Sequence, residues 1–346
     1  MNDSNLSNWS LIFFDHAPAD EPLRDSLCIL GNGYFLSKGV CWKSQLSGAS
    51  SPASYLIRKN SPLQALSIST DLNHSLTQIP DWESINFRID DGNWFNLNDV
   101  KIGSYQQELN LRNGVLYREI DFVDPQNRHS VLIERRFIHK SKKNFGCISW
   151  SIKSIDWSGR IEICSNAGYS SSQSGSNCFT ISDCSIVDET SSVILSKNSE
   201  TNDQLSIVTL HPNSLDQQVD MGVEQQQSNK GIQQNFSCDI QQEQQIKIEK
   251  IVYIKHGRDI SMSDLNSEAI EFVDHCPTFN NLYASHLEAY HFSWDQIHLD
   301  IQSQEASQST SPLLLARLQL FRLLQMGELI HDDHLGLKKT MLSIIR

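Results

Sequence analysis

Between about residue 85 and residue 255 the chain alternates apolar and polar residues with a period of two. Phe87 and Ile89 flank Arg88, and Ile148, Trp150 and Ile152 interleave with Ser149 and Ser151. Ile161 and Ile163 enclose Glu162, and Leu205 and Ile207 enclose Ser206. Successive side chains of a strand point to opposite faces, so such a pattern buries one face of a sheet. Turn residues punctuate it at Asp90-Asp91-Gly92-Asn93, Arg112-Asn113-Gly114, Asp124-Pro125-Gln126-Asn127 and Trp157-Ser158-Gly159. Many short strands with turns at this spacing predict an antiparallel β-sandwich and argue against a βαβ fold.

Two stretches are low in complexity: the Ser-rich run Ser170 to Ser176 and the Gln-rich run Gln217 to Gln245. Ile251-Val252-Tyr253-Ile254 follows the second, which therefore reads as polar strands and loops on the rim of the sheet. After about residue 262 the period lengthens. Ala269, Ile270 and Val273 predict a short helix ended by Pro277, and Phe279 to Phe292 a second one. Ile297, Leu299 and Ile301 read as a short strand. Ser311 as N-cap and Pro312 at the first helical position then open a helix with the apolar stripe Leu314, Leu318, Phe321 and Leu324. The stripe calls for a partner, and the residues that follow it supply none.

A formal net charge of -13 disfavours polyphosphate and anionic membrane surfaces, so neither nucleic acid nor membrane is expected as a partner. The one basic run, Lys140, Lys142 and Lys143, reads as a solvated turn. No apolar stretch reaches the ~18 residues of a transmembrane helix, and Met1 to Ser10 carries no signal-peptide pattern. Eight cysteines without a C-x-x-C pair then fit free thiols in a reducing, cytoplasmic compartment.

Several ordered motifs identify a family. Asn8-Trp9-Ser10-Leu11, Glu21-Pro22-Leu23-Arg24-Asp25-Ser26-Leu27 and Leu30-Gly31-Asn32-Gly33-Tyr34-Phe35 resemble the opening of glycoside hydrolase family 65, the maltose, trehalose and kojibiose phosphorylases and related hydrolases. Gly39 continues this block, with Lys38 where the family usually has Arg. Pro80-Asp81-Trp82, Phe87-Arg88-Ile89-Asp90-Asp91-Gly92, Glu134-Arg135-Arg136-Phe137, Asp156-Trp157-Ser158-Gly159-Arg160 and Glu249-Lys250-Ile251 with Arg258-Asp259 follow in order. Tyr105 to Leu116 (YQQELNLRNGVL) is the most specific block. The resemblance runs to about Gln325.

It implies a mainly β fold: an antiparallel β-super-sandwich, a mutarotase-like sugar domain, followed by an α-helical linker and the first helix of an (α/α)6 barrel. The boundaries expected are 1–262, 263–310 and 311–346. In the family the barrel carries a Phe-Trp-Asp segment, the general-acid glutamate and the phosphate loop. None of these occurs here, so the chain is expected to hold the non-catalytic half and to be inactive alone. By the same resemblance its partners are an α-glucose disaccharide and inorganic phosphate, a separate chain carrying the barrel, and a second copy in a homodimer. The alternatives are a stand-alone carbohydrate-binding or scaffold module and a frameshifted remnant.

The candidate site is the turn Gly31, Asn32, Gly33 and Tyr34, whose glycines free the backbone and whose tyrosine would face a sugar or the barrel. The same residues also fit a tight packing turn. No catalytic residue, cofactor or metal is expected. Asp90-Asp91 and the group Asp15, Asp20 and Glu21 are acidic pairs of the kind that serve as acid and base, but a hairpin turn explains Asp90-Asp91 better and none is expected to be catalytic. His331-Asp332-Asp333-His334 has ligand-type residues and reads as a solvated end. Neither G-x-S-x-G nor a dinucleotide or phosphate loop is present. Trp42, Trp94 and Trp157 are candidates for a sugar-stacking platform.

Overall fold

A computed structural model describes residues 9–39, 53–57, 76–169, 178–212, 222–257, 260–296 and 312–326. Along the chain the strands are β1 (Ser10–Phe13), β2 (Leu30–Gly31), β3 (Phe35–Ser37), β4 (Ser54–Ile57), β5 (Leu76–Gln78), β6 (Ile85–Ile89), β7 (Lys101–Asn110), β8 (Val115–Val123) and β9 (His129–Ile138). They continue as β10 (Phe145–Ser154), β11 (Gly159–Gly168), β12 (Thr180–Ile186), β13 (Ser191–Lys197), β14 (Gln204–Leu210), β15 (Gly222–Ser228), β16 (Gly231–Ile240) and β17 (Gln245–Gly257). The helices are α1 (Glu21–Leu27), α2 (Met262–His275), α3 (Phe279–Asp295) and α4 (Pro312–Met326).

The fold is mainly β, as the alternation predicts, and its named strands pair antiparallel. A nine-stranded sheet runs β1-β7-β8-β9-β10-β17-β14-β13-β12. Facing it are two four-stranded sheets, β15-β16-β11-β6 and β2-β3-β4-β5. The main core lies between these layers. Leu116, Ile120, Trp150, Ile248 and Ile254 from the large sheet meet Phe87, Ile161, Ile163 and Phe236 from the smaller sheet. Two satellite cores cover the other face of the large sheet. Phe137, Phe145, Cys147 and Ile251 pack under Phe279 and Leu282 of α3, while Val193, Leu195, Val208 and Leu210 pack under Leu265 and Ala269 of α2. Strands covered on both faces are buried on both sides, which explains the consecutive apolar residues Val193, Ile194 and Leu195 of β13.

The Gln-rich stretch forms β15 and β16 within its described part, and β15 lies at a sheet edge with an exposed outer row. The two predicted linker helices are α2 and α3, N-capped by the Ser261 and Thr278 hydroxyls. Ser170 to Ser176, Arg258-Asp259, the strand expected at Ile297 to Ile301, Ser311, Trp42 and His331 to His334 lie outside the described residues.

Two expectations are corrected. The apolar stripe of α4 has a partner within the chain: Leu318, Phe321 and Leu324 are buried in the main core. Phe321 stacks on Tyr290 of α3 with ring centroids 5.9 Å apart, and Arg317 lies 3.9 Å over the ring of Trp9. The partner precedes the helix in sequence, where a forward reading does not look. Lys140 is not a solvated turn residue: it is 4% exposed, whereas Lys142 and Lys143 are exposed.

A row of buried polar side chains crosses the large sheet. Gln107, Arg118 and Glu134 are direct partners on β7, β8 and β9, and Arg136 lies two residues beyond Glu134 on the same face. Arg118 is 3.2 Å and Arg136 2.8 Å from the Glu134 carboxylate. Arg118 Nε donates to Gln107 Oε1 at 3.1 Å and its Nη2 to the Gly39 carbonyl. Removing one member of a buried ionic cluster leaves the others desolvated, a loss of roughly 3–5 kcal/mol. Glu134→Gln is therefore expected to lower stability by about that amount in urea unfolding. Glu162→Gln, which breaks the half-exposed pair with Arg88, is expected to cost about 1 kcal/mol or less.

Candidate functional site at the sandwich–helix junction

The Gly31–Tyr34 turn joins β2 to β3 and is built on Asn32. The Asn32 side-chain oxygen accepts from the backbone N–H of Tyr34 at 3.0 Å and of Phe35 at 3.3 Å. Its amide nitrogen donates to the carbonyls of His139 at 3.0 Å and Lys143 at 2.8 Å, so one side chain ties this hairpin to the β9–β10 turn. Gly33 supplies the positive φ of 82° that the turn requires. Tyr34 stacks on His256 with centroids 4.8 Å apart, and its hydroxyl accepts from the His256 N–H at 3.0 Å. Burial raises the phenol to about 12.

The β9–β10 turn in turn holds the helices. His139 Nδ1 accepts from the N–H of Lys142 at 3.0 Å and of Ser141 at 3.3 Å. Its proton therefore sits on Nε2, which donates to Ser285 Oγ of α3 at 2.8 Å. His286 repeats the arrangement: Nδ1 accepts from the N–H of Lys140 at 3.2 Å, and Nε2 donates to the carbonyl of Asn113 at 2.7 Å. Both imidazoles are thereby fixed neutral. Burial lowers His139 to about 4 and His286 to about 3.

Lys140 reaches the far side of the junction, where its Nζ donates to the Leu324 carbonyl in the last turn of α4. That carbonyl has no partner within the helix, and a cation there also opposes the negative end of the helix dipole. Burial, and then Lys143, lower the ammonium to about 8. Gln325 donates to the Ile29 carbonyl at 3.0 Å, next to β2. On the other flank, Trp294 Nε1 donates to the Leu111 carbonyl at 3.0 Å and its ring meets Trp9 edge-on at 4.9 Å. Gly114, with φ +65°, lies under Tyr290, and a Cβ there would come within 2.3 Å of the ring. The motif Arg112-Asn113-Gly114 is thus the seat of α3.

The other candidates lie apart from this junction. Trp157 is buried, with Nε1 donating to Ser130 Oγ at 2.9 Å, and offers no open ring face for a sugar. Asp90 has φ 51° in the expected hairpin turn and accepts from Arg128 at 2.8 Å. Asp15 pairs with Arg24 at 3.0 Å. Trp94 lines a pocket at the opposite end of the sandwich. Asp81 and Glu83 form a clasp on β4. Asp81 Oδ1 accepts from the N–H of Ala53 at 3.0 Å and of Ser54 at 3.1 Å, and Glu83 Oε1 from Ser54 Oγ at 2.7 Å. Burial, then the Glu83 charge, raise Asp81. Their oxygens are engaged in holding β4, which is a structural task. Among the described residues no group of three or more His, Cys, Asp or Glu is placed to hold a metal, and no helix is long and apolar enough to cross a membrane.

Among the described residues the geometry defines a β-sandwich module whose built site seats helices. Comparison with known proteins supplies the family. The profile described as glycosyl hydrolase family 65, N-terminal domain, matches residues 11–292. An uncharacterized glycosyl hydrolase of Mycobacterium tuberculosis is 27% identical over 333 residues, which cover 92% of this chain and 24% of that protein. Kojibiose phosphorylase of Halothermothrix orenii is 24% identical over 282 residues, 78% of this chain and 35% of that protein. A solved structure described as a kojibiose phosphorylase from human microbiome superposes with TM-score 0.74 at 16% identity, covering 93% of this chain and 42% of that one. The chain belongs to glycosyl hydrolase family 65 and corresponds to its N-terminal domain. It spans between 24% and 42% of the length of these three relatives.

Acid is expected to loosen the junction. Between pH 6.5 and about 3 the unfolded chain protonates a histidine that the folded chain keeps neutral at position 286, so stability falls as pH falls through that window. Near pH 4.5 this amounts to about 3 kcal/mol for the one imidazole. His286→Gln should flatten the pH dependence of the melting temperature below pH 6.5. Gly114→Ala should destabilise at every pH by about 3 kcal/mol, from the overlap with Tyr290 and the left-handed backbone together. A melting series from pH 4 to 8 separates the two effects.

Proposed function

We propose that this chain is the non-catalytic, barrel-seating half of an enzyme that cleaves α-linked glucose disaccharides with inversion. In this reading a general acid protonates the glycosidic oxygen while phosphate, or water, attacks the anomeric carbon from the opposite face. Both groups belong to an (α/α)6 barrel that lies beyond these residues or on a separate chain. The observation that carries the proposal is the clamping of α4 by Lys140 and Gln325, which fixes a helix axis relative to the sandwich. Family membership and a relative named kojibiose phosphorylase support this choice of substrate class. The role assigned to the sandwich is positioning: a barrel built onto α4 inherits the orientation that the junction sets.

The purified chain is expected to release no glucose 1-phosphate from kojibiose, maltose or trehalose in the presence of phosphate. Joined to a family barrel through α4, it is expected to turn over one of them, and Lys140→Met should lower that rate about tenfold or more by misplacing the helix. Turnover by the chain alone sinks the proposal. So does a joined protein whose rate ignores Lys140→Met.

A further inference from the structure

A pocket of about 340 Å³ opens at the end of the sandwich remote from α3 and α4. Its floor is aromatic: Phe87, Phe95 and Phe122 are buried, Phe87 stacks on Phe95 at 4.9 Å, and Phe95 meets Phe122 at 4.8 Å. Trp94 forms one wall, half-buried, with the Arg88 guanidinium 5.1 Å from its ring centroid. The rim is made of short polar side chains, including Asn93, Asn96, Asp99 and Gln126. We propose that this pocket is a binding site for a neutral mono- or disaccharide, with Trp94 as the stacking wall and the carboxamides of Asn93 and Gln126 as hydroxyl partners.

Three observations point to this ligand class. The first is the juxtaposition itself. A sugar ring has an apolar C–H face and an edge of hydroxyls, and an amphipathic indole beside amide donors and acceptors matches both. Arg88 takes one face of the indole, so the ligand stacks on the other.

The second is charge. Both guanidiniums in the wall are already matched: Arg88 pairs with Glu162 at 2.6 Å, and Arg128 with Asp124 at 2.7 Å and Asp90 at 2.8 Å. Asp99 adds a further carboxylate at the rim, where it accepts from Asn96 Nδ2 at 3.0 Å. An anionic ligand would meet no uncommitted cation, so phosphate and phosphorylated sugars are disfavoured. Gln126 accepts from Arg128 at 3.3 Å through its oxygen, which turns its NH2 outward as a donor.

The third is size and place. The volume is near the lower bound of ligand pockets (~300–1,000 Å³) and suits one or two rings. The pocket borders the Asp124–Arg128 turn after β8, whereas α3 sits on the turn before β8. At about 3.3 Å per residue the nine residues of β8 hold the two ends ~30 Å apart. A sugar held here is therefore far from any barrel seated on α4, and the site acts as an accessory hold on substrate or on a longer glycan. It stands whether or not the barrel reading is right.

The test is isothermal titration and saturation-transfer NMR of the purified chain with glucose, maltose and kojibiose, with glucose 1-phosphate and inorganic phosphate as contrasts. Saturable, weak binding of at least one neutral sugar is expected, with little or none for the two anions. Trp94→Ala should weaken it about tenfold with its melting temperature unchanged. The exposed double substitution Asn93→Ala with Gln126→Ala should weaken it about fivefold, and it decides the matter if Trp94→Ala fails to fold. No saturable binding of any of the three neutral sugars overturns the proposal. Preference for the phosphorylated ligands, or affinity unchanged in the folded variants, overturns it equally.

Discussion

The buried contact between Arg118, Glu134 and Arg136 constrains the rest of the molecule. Ionised groups with 0%, 1% and 2% exposure tolerate only a register that brings them together. Slipping β8 by one residue against β9 would turn Arg118 to the opposite face and strand Glu134, so the central pairing is fixed beyond what apolar alternation requires. The same guanidiniums extend the constraint outward. Arg118 binds the Gly39 carbonyl and Arg136 the Lys38 carbonyl at 3.5 Å, which anchors the exit of β3. The β2–β3 hairpin is thereby held, Asn32 of that hairpin holds the β9–β10 turn, and Lys140 of that turn holds α4. Each link depends on the one before it, from the sheet centre to the last described helix.

This succession places desolvated titratable groups at the joints between layers. Lys250, 0% exposed, donates from β17 to the Asn166 carbonyl of β11 at 2.7 Å, and burial lowers it to about 7. His211 joins Thr190 and Ser165, and burial lowers it to about 3. His139 and His286 do the same between the sandwich and α3. An apolar joint would bury as much surface but accept several orientations. A donor and acceptor that lose water on assembly accept one, because every other arrangement leaves a buried polar group unpaired. A module that orients another domain gains from joints of that kind.

The β layers were legible because the period of two is a local signal. The junction was less so, because its partners are far apart in sequence. Lys140 meets Leu324 across 184 positions, and no window around Lys140-Ser141-Lys142-Lys143 separates the buried lysine from its two exposed neighbours. Arg118 is a local exception that carries a long-range signal. It occupies an inward position between Leu116 and Ile120 in an alternating strand, where a charge must find a buried partner, and Glu134 and Arg136 two residues apart on β9 are the pattern that answers it. The α4 stripe announces an apolar face but not its partner, since periodicity reports that a face is buried and not what covers it. Trp94 and Trp157 were indistinguishable in sequence. Only the fold separates a tryptophan sealed against Ser130 from one beside an open pocket.

The two ends of β8 and β9 carry opposite characters, and the difference follows from what each turn is made of. The turns at Arg112–Gly114 and His139–Asn144 spend their polar groups on helices: Asn113, His139 and Lys140 all reach α3 or α4. The turns at Asp90–Asn93 and Asp124–Arg128 close on one another through the Arg128–Asp90 pair, with Arg128 also held by Asp124 within its own turn. Cross-bracing of that kind leaves an aromatic-floored opening between them, away from α3 and α4. A rigid sheet joins the ends, so what binds at one is held at a set distance from what docks at the other. In the reading proposed above, a seat for a catalytic domain and a place to hold sugar need only strands long enough to keep the two apart, and a buried ionic row that stops them from sliding.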